Sequence, residues 1–264
     1  MHSVRAMVLV FVFIVAANFL RIGGMSMFAG VFEVAALCLI IWMIGNFVIR
    51  TVRFVHGLRM LRTGRYCDAA DLFLRLAGNA QSRFAQACRF NAAVALHRKG
   101  DLSEALEVLA KIDASKQTPT IRPHYFALFA RTFVMQGRDF ASADKHHEQA
   151  LAELAPEMAD IHLYQCYQAC VKGDLASATA FREKYQALAK VRDTARNEKG
   201  KHVRMDWQYA DLIDAYLLGF YFWKTGDLAQ ARAHLEKASQ FPYPDLYSTR
   251  AKELLAQLPE SIVE

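Results

Sequence analysis

Five times along this chain a helix-forming run stops at a glycine and a second amphipathic run begins. That spacing limits the fold more than any other feature. It is plainest in Leu217–Ala238, LLGFYFWKTGDLAQARAHLEKA. An apolar and aromatic run from Leu217 to Trp223 ends at Lys224-Thr225-Gly226-Asp227, and an alanine-rich run follows with Ala231 and Ala238 seven residues apart. Glycine enters the left-handed conformation that ends a helix, and aspartate accepts a hydrogen bond from the free amides that open the next one. The alanines stand where two helix axes must approach closely. The pattern repeats upstream, with Gly64 before Ala69, Gly100 before Ala105, Gly137 before Ala143 and Ala150, and Gly173 before Ala178. The five turn glycines are 36, 37, 36 and 53 residues apart, and seven residues before each stands a small residue: Gly57, Ala93, Ala130, Cys166 and Gly219. Self-similarity at this period predicts an all-α solenoid of about five helix pairs.

The unit of helix, glycine turn and helix, with its small residues in register, resembles the tetratricopeptide repeat (TPR) family. The resemblance covers roughly residues 50–242 and is best in the last unit, with its closing Pro242. Its period is slightly longer than the family's, which is about 34 residues. The resemblance implies a concave groove, lined by the first helix of each pair, that binds a peptide or partner helix. The groove positions carried over are Phe90, Val94, His97 and Arg98; His124, Ala127 and Arg131; Leu163 and Tyr167; and Tyr216, Phe220, Trp223 and Lys224. Aromatics and arginine are the residue types enriched in binding hot spots. The alternative role for Tyr216, Phe220 and Trp223 is packing, and for His97, Arg98 and Arg131 a solvated surface. Of the Lys and Asn pattern with which some members clamp a C-terminal carboxylate, only Asn91 is present.

The positive charge belongs to the N-terminus. Residues 1–65 hold seven arginines and one acid, Glu33, which accounts for the whole net charge of +6; basic and acidic residues balance in the remainder. The sequence pI of about 9.1 is therefore no sign of nucleic acid. The same region carries two apolar runs, expected as membrane spans at about residues 6–21 and 27–49 and joined by a short turn at Gly23-Gly24. Crossing a bilayer takes about 20 apolar residues. The second run meets this, while the first is shorter and could be a signal-peptide apolar region behind Met1–Arg5, so that a cleaved signal or a single-span anchor is the alternative. A helical hairpin is the expectation adopted. Arg50, Arg53, Arg59, Arg62 and Arg65 follow the second run with no acid before Asp68. Such excess marks the cytoplasmic flank, so the repeats are expected inside the cell. The five arginines form a collar able to meet anionic lipid headgroups. Glu33 is expected near the outer end of its helix, with Arg21 as its partner across the hairpin. Phe54, His56, Gly57 and Met60 continue the second run into the first repeat with no linker of proline or serine.

Residues 1–50 are thus read as a membrane anchor, 51–242 as the repeat domain and 243–264 as a capping helix and tail. Asp113–Pro123 is the first clear loop, and the extra residues before the last turn fall around Lys190–Arg204, with a surface loop near Gly200. Chemistry is sparse. His162, Cys166 and Cys170 share a helix face and are types that suit a soft metal, but Cys166 occupies a small-residue packing position. Adjacent His146 and His147 are expected on a solvated face. Five cysteines, with no Cys-x-x-Cys, suit a reducing cytoplasm. No phosphate loop, nucleophile elbow or zinc-protease motif is present. The expected function is that of a membrane-anchored scaffold, without enzyme activity or cofactor, that binds a protein partner through its groove. The layout resembles bacterial inner-membrane tetratricopeptide proteins with two N-terminal spans. The second reading, of another class, is an accessory subunit of a membrane enzyme or transporter complex recognised through the hairpin.

Overall fold

The computed structural model describes residues 2–22, 26–153, 159–199 and 204–259. Among these residues there are twelve α-helices, one 3₁₀ turn at Ala114–Lys116, and no strand. The helices are α1 (His2–Ile22), α2 (Ser26–Arg62), α3 (Tyr66–Ala77), α4 (Arg83–Lys99), α5 (Leu102–Ala110), α6 (Arg122–Gln136), α7 (Phe140–Glu153), α8 (Ala159–Lys172), α9 (Leu175–Lys199), α10 (Arg204–Thr225), α11 (Leu228–Ser239) and α12 (Leu246–Leu255). The chain divides into two units, Met1–Gly57 and Leu58–Glu264.

The first unit is apolar on its outside. The stretch Ala29–Arg62 of α2 is long and apolar enough to cross a membrane, and Leu9–Ile22 of α1 is a shorter apolar helix. Of the large hydrophobic side chains exposed in the described chain, all but Val171, Leu175 and Leu228 lie between Leu9 and Val55. Little within the unit covers them. Ala17, Ala29 and Ala36 are buried, the rings of Phe13 and Phe32 lie 5.8 Å apart, and Arg21 donates to Glu33 across 2.6 Å. The Gly23-Gly24 turn lies outside the described residues.

In the second unit the glycine turns act as local sequence rules require. Gly64, Gly100, Gly137, Gly173 and Gly226 all have positive φ, from 71° to 100°. Asp139, Asp174 and Asp227 accept hydrogen bonds from the amides of Ser142, Ser177 and Gln230 and so cap the following helices. Asp101 makes no such cap and pairs with Lys99 instead. The small residues before and after the turns of this unit are buried: Ala93, Ala130, Cys166 and Gly219 on the first helices, Ala69, Ala105, Ala143, Ala178 and Ala231 on the second. Gly57, the last residue of the first unit, is also buried. Gly219 shows why. A Cβ there would come within 2.7 Å of Leu235 Cγ on α11. Helices α6 and α7, α8 and α9, and α10 and α11 pack as close neighbours, as do α3 and α4. Helix α9 takes up most of the extra length before the last turn; the expected loop near Gly200 lies outside the described residues.

The C-terminal helix goes further than a terminal cap. α12 packs on α11 and α10 as expected, and it also reaches α4. The reason is its entry. Phe241-Pro242-Tyr243-Pro244 cannot continue α11, since two prolines lack the amides a helix needs. Tyr243 crosses to the α2–α3 turn, where a Cβ on Gly64 would lie 2.6 Å from Tyr243 Cβ. The last helix is thereby directed back over the first helices of the unit.

Candidate functional site: the face covered by the last helix

Asp245 opens α12. Its Oδ1 accepts from the amide of Tyr247 at 3.0 Å, while Ser248 Oγ accepts from the amide of Asp245 at 3.1 Å, a reciprocal cap. The other carboxylate oxygen, Oδ2, accepts from Arg98 Nε of α4 at 3.1 Å. Both side chains are almost wholly buried, 7% exposed for Arg98 and 0% for Asp245. Arg98 also lies over the rings of Tyr209 (3.6 Å) and Tyr66 (4.8 Å) and donates to the carbonyl of Leu61 at 3.4 Å. Burial pushes the Asp245 carboxyl up from the ordinary range, with Arg98 and the Tyr247 amide pulling the other way.

Tyr247 continues the contact two residues on. Its hydroxyl lies 2.7 Å from His97 Nε2 and is hydrogen-bonded to the Tyr164 hydroxyl of α8. His97 Nδ1 lies 3.0 Å from Thr132 Oγ1 of α6, whose own proton goes to the Leu128 carbonyl at 2.7 Å. That last bond fixes the direction of the chain. With its proton spent, Thr132 accepts from His97 Nδ1–H; Nε2 then accepts from Tyr247, and Tyr247 in turn accepts from Tyr164. His97 is held neutral, its pKa lowered to about 3 by burial first and then by Arg131, Arg250 and Arg98. One turn further along α12, Arg250 donates to the Met135 carbonyl at the end of α6 at 2.9 Å. So α12 touches α4, α6, α8 and α10, the set of helices that sequence assigns to the groove.

The predicted groove residues divide accordingly. His97 and Arg98 are buried under α12. Tyr216 is also buried, its ring 5.6 Å from that of Tyr247. Tyr167 and Phe220 are buried with ring centroids 4.4 Å apart, and Tyr167 and Tyr216 are 6.0 Å apart. Trp223 is half-buried against Phe220, and exposed Lys224 lies over the Trp223 ring at 4.3 Å. Ala127 and Leu163 are buried in the packing between pairs. Phe90 and Val94 are half-buried and His124 is exposed. Arg131 is ion-paired with Asp160 and lies over the Tyr164 ring. The arginines Arg50, Arg53, Arg59, Arg62 and Arg65 are all exposed, and Arg65 pairs with Asp68 at 2.7 Å. Sequence reasoning did not single out Asp245, Tyr247, Tyr164, Thr132, Tyr66 or Tyr209. Asp245 was legible as a cap, but nothing local ties it to Arg98.

The histidine pair on α7 corrects an expectation. His147 is fully buried, with its ring nitrogens lacking hydrogen-bond partners among the described residues, and His146 stacks on Phe129 at 4.5 Å. The face read as solvated packs on α6, because Ala143, His147 and Ala150 share one helical stripe. Cys166 and Cys170 are buried, and the Cys166 thiol is pushed up by its hydrogen bond with Cys170 and by burial. Among the described residues no three His, Cys, Asp or Glu side chains form a metal-sized group. A shallow depression of about 210 Å³, lined by Asp211, Leu212, Lys237, Gln240, Phe241 and Pro242, gathers no catalytic set. Compared with known protein families, curated proteins and solved structures, the chain matches none.

Proposed function

We propose that this chain is a membrane-anchored helical-repeat scaffold of the tetratricopeptide kind, taking a protein partner on the face of its first helices. The observation that carries the reading is α12 itself. A helix lies across α4, α6, α8 and α10 and is held there by an ion pair, a tyrosine hydroxyl and an arginine. A face that seats one helix through aromatics and arginine has the chemistry of helix-in-groove recognition. The buried small residues on both sides of each glycine turn support the repeat architecture.

The anchor is a two-span hairpin in a bacterial inner membrane, with the repeats in the cytoplasm. Its support is the exposed apolar band from Leu9 to Val55, the Arg21–Glu33 pair and the arginine collar. The collar also meets anionic headgroups, at about 1 kcal/mol for each basic residue near the surface. A second reading, an accessory subunit recognised through the hairpin, is favoured by Asn18, exposed in the midst of the α1 apolar run.

Photo-crosslinking in intact membranes tests both. A photoreactive residue at His124 or Phe90 is expected to capture one dominant protein. Capture of that protein from Trp42 alone would transfer recognition to the hairpin, and no captured protein from any of the three positions would sink the scaffold reading.

A further inference from the structure

Two buried imidazoles of this chain differ in one respect. His97 is 2% exposed, and both its ring nitrogens are met, by Thr132 and Tyr247. His147 is 0% exposed, and neither nitrogen has a partner among the described residues. A buried donor or acceptor left unmet keeps the full cost of leaving water, so such a group in a native fold needs a cause. His147 is not alone. Gln168 is buried as well, and its Oε1 has no partner, while its amide nitrogen donates to Asp144 Oδ1 at 2.7 Å. Arg131 donates through Nη2 to Asp160, and its Nε is buried without a partner.

These atoms share one seam. Asp160, Tyr164 and Gln168 follow one another at four-residue steps and so form a stripe along α8. Arg131 of α6 ties to the first of them and Asp144 of α7 to the last. His147 stands three residues after Asp144 on α7. The groups acting on its charge are Arg131 of α6, Asp144 of its own helix, and Asp160 and His162 of α8, so members of both ties are among them.

The unmet demand is balanced. Arg131 Nε–H is a donor and Gln168 Oε1 an acceptor, and a neutral imidazole adds one of each. An anion would leave both acceptors facing it, and a cation would meet two donors beside the Arg131 guanidinium. Water both donates and accepts. The two ring nitrogens point away from one another, so one molecule does not serve both. We infer that the seam of α6, α7 and α8 is a buried site for water, with one molecule on each His147 nitrogen. The water on the ring N–H accepts there and donates to Gln168 Oε1. The water on the other nitrogen donates to it and accepts from Arg131 Nε. Buried water of this kind is part of a fold, bonded to groups that the chain leaves unmet. The site is independent of what the groove binds.

The test is hydroxyl-radical footprinting of the full chain in detergent, with radicals made by X-ray pulses and oxidation read by mass spectrometry. Radicals form from bound water too and attack the side chains it touches. His147 is expected to be oxidised several-fold faster than His97, an equally buried ring whose partners are all protein. Gln168→Met keeps the volume, removes the acceptor and should slow His147 oxidation measurably. Equal rates for the two histidines in the wild type would overturn the inference. An unchanged rate in a folded Gln168→Met protein would also overturn it. So would His147 oxidation that rises with urea well below the unfolding midpoint, because the seam would then be opening to bulk water. Oxidation suppressed by sodium chloride would give the site to an anion and overturn it as well.

Discussion

His97 Nε2 and the Tyr247 hydroxyl are 2.7 Å apart, although 150 residues separate them in sequence. The bond joins the fourth helix to the last, and its direction is set by Thr132, a third residue on a third helix. Tyr247→Phe leaves the shape and removes the donor, stranding a buried imidazole nitrogen. The expected cost is about 1–3 kcal/mol, measured by chemical denaturation. A loss below about 0.5 kcal/mol would mean that the hydroxyl is not donating to His97.

Arg98 and Asp245 should behave asymmetrically. Arg98→Ala leaves a buried carboxylate without its cation and is expected to destabilise by about 3–5 kcal/mol. Removing both in Arg98→Ala/Asp245→Ala should recover part of that loss. Additive losses in the double-mutant cycle would show that the two groups are not coupled.

Two buried imidazoles predict acid sensitivity. Burial lowers His97 to about 3 and His147 to about 4, in each case with Arg131 adding to the effect. Below the ordinary histidine value of about 6.5 the unfolded chain binds protons that the folded chain refuses. Stability is therefore level above that pH and falls as pH drops toward 4, with His97 continuing to about 3. The slope approaches about 1.4 kcal/mol per pH unit for each imidazole. Melting temperatures from pH 8 to 4 should trace the decline, and His147→Phe should make it shallower, leaving the part that belongs to His97. A wild-type curve that is flat over this range would show that these rings do not stay neutral.

Gly219 and Gly226 are glycines for different reasons, and the difference is measurable. Gly219→Ala drives a methyl to within 2.7 Å of Leu235 Cγ and 3.2 Å of its backbone nitrogen, an overpacking worth about 1–3 kcal/mol. Gly226→Ala meets open space but keeps a φ of +87°, a conformational cost of about 1–2 kcal/mol. Asn at the two sites separates them: it should rescue much of position 226, where left-handed backbone is the problem, and worsen position 219.

The membrane reading has its own check. High-salt washes are expected to leave the protein in the membrane fraction, since apolar surface rather than the arginine collar holds it. Protease added outside intact cells should leave the second unit whole. Release by salt, or digestion from outside, would remove the anchor or the orientation respectively.

Much of the architecture is local and could be read from the chain. Helix ends at Gly64, Gly100, Gly137, Gly173 and Gly226 follow from backbone sterics at single residues, and the buried positions of Ala93, Ala130 and Ala231 follow from a spacing that repeats. The apolar N-terminal helix was legible for the same reason, since a run of side chains needs no partner to declare itself. His147 was misread because charge and polarity suggest solvent, while its place on the Ala143–Ala150 stripe puts it inside.

The sequence by itself determined the all-helical class, the turns, the small-residue register and the place of the positive charge. Each depends on residues within a few turns of one another. Only the tertiary structure decided what the candidate groove holds. Arg98 meets Asp245, and His97 meets Tyr247, across 147 and 150 residues, through a proline-broken segment whose path depends on the accumulated packing of every helix before it. No local propensity encodes that path, because its energy lies in contacts that exist only once the array has been built.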